Sequence, residues 1–320
     1  MRFRTQSLLL ATAVLAAAVA TVPTAAQGSF GRIVVFGTSL SDPGNAFALR
    51  GGASTAPDYQ LDMLLVPGEP YAVGGLHFSN GATWVEQFAR SRGLAGSVRP
   101  ALGSEDPTAT NYAVGGARAR EDGQNFNLSQ QVNAFLQQTA GVAPSDALYV
   151  VEMGGNDIRD ALLAYGGGGA EGILTDANTA IFVNITALYQ AGARNFLVWR
   201  APDVGLTSAM RRLNQLSPGA AFVATSLSKG FNAGLDKVVA DLSPLEGISI
   251  RRLDSFALTT RIVANRDAFG LANVTAACVT PDVAPFTCAD PDQFLFWDGI
   301  HPTRAGHAII AQEAASVLGR

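Results

Sequence analysis

Ile33-Val34-Val35-Phe36-Gly37-Thr38-Ser39-Leu40-Ser41-Asp42 is the stretch on which the fold turns. Four apolar residues, two of them valine, predict a buried strand, and Gly37 ends it. A serine directly after a buried strand lies at the rim of a sheet. In open α/β sheets, ligands bind outside the carboxyl ends of the strands, so Ser39 is a candidate nucleophile. The same residues suit a strand-to-helix turn in which Ser39 or Ser41 caps a helix. Local sequence leaves both readings open.

Outward from this turn, apolar runs at 147–153, 195–199 and 248–253 predict further strands. Between and after them, helical spacing covers 82–89, 128–138, 178–190, 220–242 and 304–318. Strands alternating with helices argue for a mostly parallel sheet covered on both faces. Trp84 falls on the first helix and reads as a core residue. Residues 51–75 hold Tyr59, Leu61, Met63, Leu64, Leu65 and Tyr71 without a sustained period, which predicts a long loop. Such a loop either borders the substrate cleft with apolar contacts or packs on itself as an Ω-loop. Gly167, Gly169 and Gly172 spell Gly-x-Gly-x-x-Gly, but the motif follows a helical run and no acid lies about twenty residues on. It therefore reads as a flexible loop rather than a dinucleotide site.

Arg2 and Arg4 precede an apolar run at 8–22, and Thr24-Ala25-Ala26 follows as a small-residue cleavage site. That plan predicts a secretory signal peptide over 1–26. The run is shorter than the ~20 apolar residues a membrane span needs, so stable membrane insertion is not expected once the signal is removed. The expected mature chain, 27–320, is long enough for a sizeable core and reads as one domain, secreted or periplasmic. The whole sequence carries a net charge of −4 and only two lysines, Lys229 and Lys237, with no basic block. Nucleic acid is therefore not an expected partner. Cys278 and Cys288 are the only cysteines, and in an exported chain such a pair predicts a disulfide.

A serine hydroxyl needs a base near neutral pH. The chain offers three histidines, His77, His301 and His307. His77 has no carboxylate close to it in sequence, and His307 falls inside the last helix. His301 follows Asp298 in the turn Asp298-Gly299-Ile300-His301-Pro302-Thr303, where an acid can fix the imidazole tautomer and stabilise the imidazolium. The same Asp could instead cap the last helix. Acyl transfer also needs donors aimed at a developing oxyanion. The Ser39 N–H, the Gly116 N–H and the Asn156 amide are candidates, although Gly116 and Asn156 also suit plain turns.

Four blocks carry a family resemblance: Phe36-Gly37-Thr38-Ser39-Leu40-Ser41-Asp42 with Gly44-Asn45; Asn111-Tyr112-Ala113-Val114-Gly115-Gly116-Ala117; Gly154-Gly155-Asn156-Asp157; and Asp298-Gly299-Ile300-His301-Pro302-Thr303. In this order they resemble the GDSL esterases and lipases, also called SGNH hydrolases. Phe78-Ser79-Asn80-Gly81 with Trp84, and the cysteine pair, resemble the secreted lipase and phospholipase-like branch. The resemblance implies a flavodoxin-like three-layer α/β/α sandwich with a five-stranded parallel sheet. It implies a secreted esterase or lipase acting through an acyl-enzyme, with Ser39 as nucleophile, His301 as base and Asp298 as its orienting acid. Ser39, Gly116 and Asn156 would form the oxyanion hole, with no metal and no cofactor, on a small-molecule or lipid ester.

One residue departs from the pattern: Thr38 stands where the family has aspartate, and its hydroxyl is expected to supply a weaker turn bond. Three alternatives stand beside the esterase. They are lipid acyl transfer or phospholipase action on the same site, an exported sugar- or lipid-binding module without chemistry, and a metallohydrolase on Asp298, His301 and His307.

Overall fold

The computed structural model describes residues 30–56, 58–281 and 283–319, so the signal peptide expected at 1–26 lies outside the described residues. The motif strand is β1 (Ile33–Phe36), every residue of it buried. It heads a parallel sheet with β2 (Leu148–Val151), β3 (Asn195–Arg200) and β4 (Ser249–Asp254), hydrogen-bonded in that order. Ile33 stands beside Leu148, and Leu148 beside Asn195. Helices among the described residues are α1 (Asn45–Leu49), α2 (Trp84–Ser91), α3 (Leu128–Gln138), α4 (Gly155–Ala164), α5 (Ala170–Gln190), α6 (Ser208–Leu216), α7 (Ala220–Leu242), α8 (Ser255–Ala264) and α9 (Arg304–Leu318).

Side chains alternate across the sheet with the period of two that strands impose. Val34 and Phe36 join Tyr149, Val151, Phe196 and Val198 in one core, with buried residues of α3, α4, α5 and α7 packed on them. Ile33 and Val35 join Leu148, Val150, Leu197 and Trp199 in the other, closed by α2, α8 and α9. The result is the three-layer α/β/α architecture. Trp84 is fully buried on Trp199, with ring centroids 5.1 Å apart, as a core residue should be.

The main sheet has four strands where five were expected. At the free edge of β1 the chain makes one parallel bridge, Val35 with Asn111. There the Tyr112 N–H donates to the Val35 carbonyl at 2.8 Å, and the Val35 N–H donates to that of Thr110 at 2.9 Å. The remaining main-chain groups of 110–111 bond instead to 97–101, and Gly115-Gly116 turns the chain away, so no ladder develops. This segment still fixes the topology: β1 has the 110–112 segment on one side and β2 on the other. The connections diverge there, and the crevice of an open sheet forms at such a switch point. Ser39 follows directly.

Three helices, α3, α7 and α9, begin and end where the pattern predicts. The glycine-rich loop expected over 167–172 is shorter, because α5 starts at Ala170 and takes in Gly172. Burial of Ala170, Leu174 and Ala177 offsets the ~1 kcal/mol a helical glycine costs. A second, two-stranded parallel sheet, β5 (Asn273–Ala277) with β6 (Phe294–Phe296), was not predicted, and neither was α6. Only Val274 of β5 is buried, so it carries no alternation to read. Cys278 and Cys288 form a disulfide, and Cys278 packs with Tyr59, Tyr71 and Trp297.

His307 sits buried between α2 and α9, where its Nδ1 accepts the Trp84 N–H at 3.2 Å. Burial pushes its pKa down to about 3, below the unfolded value near 6.5. The unfolded chain therefore takes up the proton first, and the stability this residue contributes is present above about pH 6.5 and lost as pH falls toward 3. His307→Asn keeps an acceptor without that titration. Its melting temperature should fall less steeply than the wild type's between pH 6.5 and pH 4; parallel slopes would refute the assignment.

Candidate active site

Ser39 leaves β1 through Gly37, where a Cβ would lie 2.9 Å from Glu152 Oε2 and 3.1 Å from Ser41 Cβ. Only glycine lets the turn close this tightly. From the other end of the chain, β6 runs into the turn at 298–301, whose Trp297 N–H donates to the His301 carbonyl at 2.8 Å. Asp298 Oδ1 accepts the N–H groups of Ile300 and His301 at 2.9 and 2.8 Å, which folds the acid back over its own imidazole. Its other oxygen, Oδ2, lies 2.7 Å from His301 Nδ1, and His301 Nε2 lies 2.8 Å from Ser39 Oγ. The structure thus brings Ser39, His301 and Asp298 into one hydrogen-bonded line across 262 residues of sequence. All three are buried, and Ser39 retains 8% of its surface. Phe78 packs its ring 5.3 Å from that of His301.

Sequence reasoning missed a fourth member of this line. Tyr71 donates its hydroxyl to Asp298 Oδ2 at 2.8 Å, and burial together with the Asp298 charge pushes its pKa far up, so it stays a donor. It comes from the 51–75 loop, which backs the acid–base turn rather than lining the cavity at Ser39. The Leu65 carbonyl accepts the Gly299 N–H at 2.7 Å, and a Cβ on Gly299 would run into the Leu64 carbonyl oxygen. Nothing in an aperiodic loop marks one tyrosine among several apolar residues.

The three candidate oxyanion donors come to neighbouring loops. Among the described residues, the N–H groups of Ser39 and Gly116 meet no protein acceptor. Asn156 opens α4 and donates one amide hydrogen to the Ala117 carbonyl at 2.8 Å, tying its loop to the Gly116 turn. Arg159 donates to Asn156 Oδ1 at 3.2 Å and so fixes which side of the amide faces the turn. Ser39, Asn156, Arg159, Ile300 and His301 line a cavity of about 50 Å³, while Gly116 is not among its lining residues.

The other motif residues hold main chain. Asp42 accepts N–H groups from Gly44, Asn45, Ala46 and Gly115, and Asn45 donates to the carbonyls of Asn111 and Ala113. Asp157, whose pKa burial raises to about 6, accepts the Ala119 N–H at 2.9 Å. Thr38 turns its hydroxyl to Glu152 Oε1 at 3.0 Å and its N–H to Oε2 at 2.9 Å. Burial pushes the Glu152 carboxyl up to about 7 against these bonds and one from Ser41. His77, without a carboxylate nearby in sequence, pairs with Glu86 on α2 at 2.9 Å, and His307 faces Trp84. No group of three His, Cys, Asp or Glu side chains among the described residues could hold a metal ion. No helix among them is long and apolar enough to cross a membrane.

Residues 33–314 match the GDSL-like Lipase/Acylhydrolase family. The chain is 30% identical to esterase EstA of Pseudomonas aeruginosa over 97% of its own length and 50% of the relative's. With Lipase 1 of Photorhabdus luminescens the identity is 25%, covering 98% of this chain and 54% of that one. It thus spans about half the length of these bacterial relatives. A GDSL esterase/lipase of Arabidopsis thaliana is 28% identical over 87% of this chain and 84% of its own. Among solved structures, a catalytic mutant of the acetylxylan esterase Axe2 from Geobacillus stearothermophilus is similar at a TM-score of 0.46. Its identity is 14%, with 91% of this chain and 95% of that one covered.

Tyr71→Phe removes one hydrogen bond to a buried carboxylate, a type worth about 1.5–3 kcal/mol. It should slow covalent labelling of Ser39 by a serine-directed fluorophosphonate roughly tenfold while the protein stays folded. An unchanged labelling rate would show that Asp298 holds His301 without the tyrosine.

Proposed function

The chain belongs to the GDSL-like lipase/acylhydrolase family, and we propose that it hydrolyses carboxylic esters through an acyl-enzyme on Ser39. The observation that carries this reading is the continuous line of contacts from Asp298 through both imidazole nitrogens of His301 to Ser39 Oγ. His301 Nε2 takes the hydroxyl proton as Oγ attacks the ester carbonyl, and Asp298 stabilises the imidazolium that forms. The carbonyl oxygen, now anionic, is received by the Ser39 and Gly116 N–H groups and the Asn156 amide. Collapse expels the alcohol, which takes the proton from His301. Water then attacks the acyl-serine with His301 again as base, releasing the acid and restoring the hydroxyl. Each proton is handled by one imidazole, so the steps call for no metal or organic cofactor.

A cavity of about 50 Å³ beside Ser39 holds only a few heavy atoms, which favours short acyl groups, acetyl to propionyl, over fatty chains. The mature protein is proposed to be one catalytic domain over 27–320, exported under the N-terminal signal. The disulfide at Cys278 and Cys288 supports an oxidising destination.

A series of p-nitrophenyl esters of rising acyl length tests both levels of the proposal. Acetate or propionate should turn over fastest, and Ser39→Ala should lose at least ~10³ in kcat. Retained turnover in Ser39→Ala would overturn the acyl-enzyme, and faster turnover of octanoate would overturn the short-acyl assignment. Alcohol released without matching free acid, when an acceptor alcohol is present, would make the enzyme an acyltransferase.

A further inference from the structure

We infer that Glu152 is a positioning residue, which grips Thr38 from the neighbouring strand and thereby aims the Ser39 N–H at the reacting carbonyl oxygen. The inference rests on the acyl-enzyme reading and adds to it a residue outside the hydrogen-bonded line of Asp298, His301 and Ser39.

Glu152 follows β2 directly, and its own N–H donates to the Phe36 carbonyl at 2.9 Å, so its backbone is locked to the end of β1. From there its buried carboxylate reaches under the nucleophile turn. Oε2 accepts the Thr38 N–H at 2.9 Å, and Oε1 and Oε2 lie 3.0 and 3.1 Å from the Thr38 hydroxyl. The peptide before Thr38 is held as well: Gln131 accepts the Gly37 N–H at 2.8 Å and donates to the Gly37 carbonyl at 2.9 Å. On the far side, the Thr38 carbonyl accepts the Ser41 N–H at 3.1 Å.

These bonds leave the turn little freedom. In a trans peptide the N–H points opposite to the C=O across the same plane. With the Thr38 N–H held by Glu152 and the Thr38 carbonyl held by Ser41, both torsions of Thr38 are set. The Ser39 N–H then projects away from the turn and toward no protein acceptor among the described residues. Glu152 also lines the small cavity at Ser39, so it sits within the reacting region and not in a remote part of the core.

Stability does not call for a carboxylate at this position. An ionised carboxyl held in the interior by hydroxyl and N–H donors is expensive, and a neutral amide of the same shape removes that cost. What the carboxylate supplies is two accepting oxygens spread over the Thr38 N–H and O–H; an amide must take both on one oxygen and turns an NH₂ donor toward the hydroxyl on the other side, which loosens the grip.

Glu152→Gln should lower kcat for p-nitrophenyl acetate by about ten- to a hundredfold, short of the ~10²–10³ lost when an oxyanion donor is removed outright. KM should stay within about twofold, and the melting temperature at pH 8 should equal or exceed the wild type's. Thr38→Val, which removes the hydroxyl and leaves the carboxylate, should lower kcat several-fold; it decides the question if Glu152→Gln does not fold. Thr38→Asp sets a second carboxyl against Glu152 and should lose most activity, part of which should return in the Thr38→Asp/Glu152→Gln double variant. Unchanged kcat in Glu152→Gln and Thr38→Val, a loss carried by KM or by a lowered melting temperature, or a double variant no better than Thr38→Asp would overturn the inference. Failure of a fluorophosphonate to label wild-type Ser39 would overturn the acyl-enzyme and this inference together. Labelling of the wild type with full-rate Glu152→Gln would overturn this inference alone.

Discussion

The 2.8 Å contact between Ser39 Oγ and His301 Nε2 joins groups carried by different parts of the fold, and everything around it serves to keep that distance. The serine directly follows β1, the strand at one end of the main sheet, whose outer edge the 110–112 segment covers with a single bridge. The imidazole is borne by a turn between β6 and α9, braced by the 51–75 loop and by α6, whose Ala209 N–H donates to the Gly299 carbonyl at 2.7 Å. A hydrogen bond of this length tolerates little drift, so both supports have to be stiff. The sheet supplies stiffness by packing on two faces. The turn has no such layers and relies on polar bonds instead: two N–H groups on one oxygen of Asp298, and Tyr71 with His301 on the other.

The same division runs through the four motif blocks. Some of their residues line the cavity at Ser39, while others satisfy main-chain groups that irregular loops would otherwise bury unpaired. Asp42 accepts from four N–H groups, and Asn45 and Asn111 tie the first block to the second and to the Ser41 carbonyl. Loops held this way can pass close to a substrate without carrying an orphaned donor or acceptor.

This explains what could be read from the sequence and what could not. Strands β1 to β3 and helices α3, α7 and α9 were legible because burial writes itself as periodicity, whereas strand ends and tight turns marked Ser39, Asp298 and His301 only as candidates, and the family resemblance chose between the readings each allowed. Tyr71, Glu152 and Gln131 act through contacts between distant segments and break no local pattern, so their neighbours in sequence say nothing about them. The resemblance implied five strands without placing the fifth; residues 110–112 flank β1, but they divide their hydrogen bonds between two sides and make a single bridge. His77 illustrates the same limit, for its partner Glu86 lies on a helix that comes back to it only in three dimensions.

The order of the pieces along the chain has a consequence for when the protein can act. A polypeptide emerging amino end first possesses all four strands of the main sheet, with its serine in place, before the imidazole has been made. Until the turn at 298–301 arrives, which brings Asp298 and His301 together, the Ser39 hydroxyl has no imidazole beside it. On the proposed mechanism, hydrolytic competence is withheld from the growing chain until the 298–301 turn has been made, so a copy cut short before that turn would meet esters without a base.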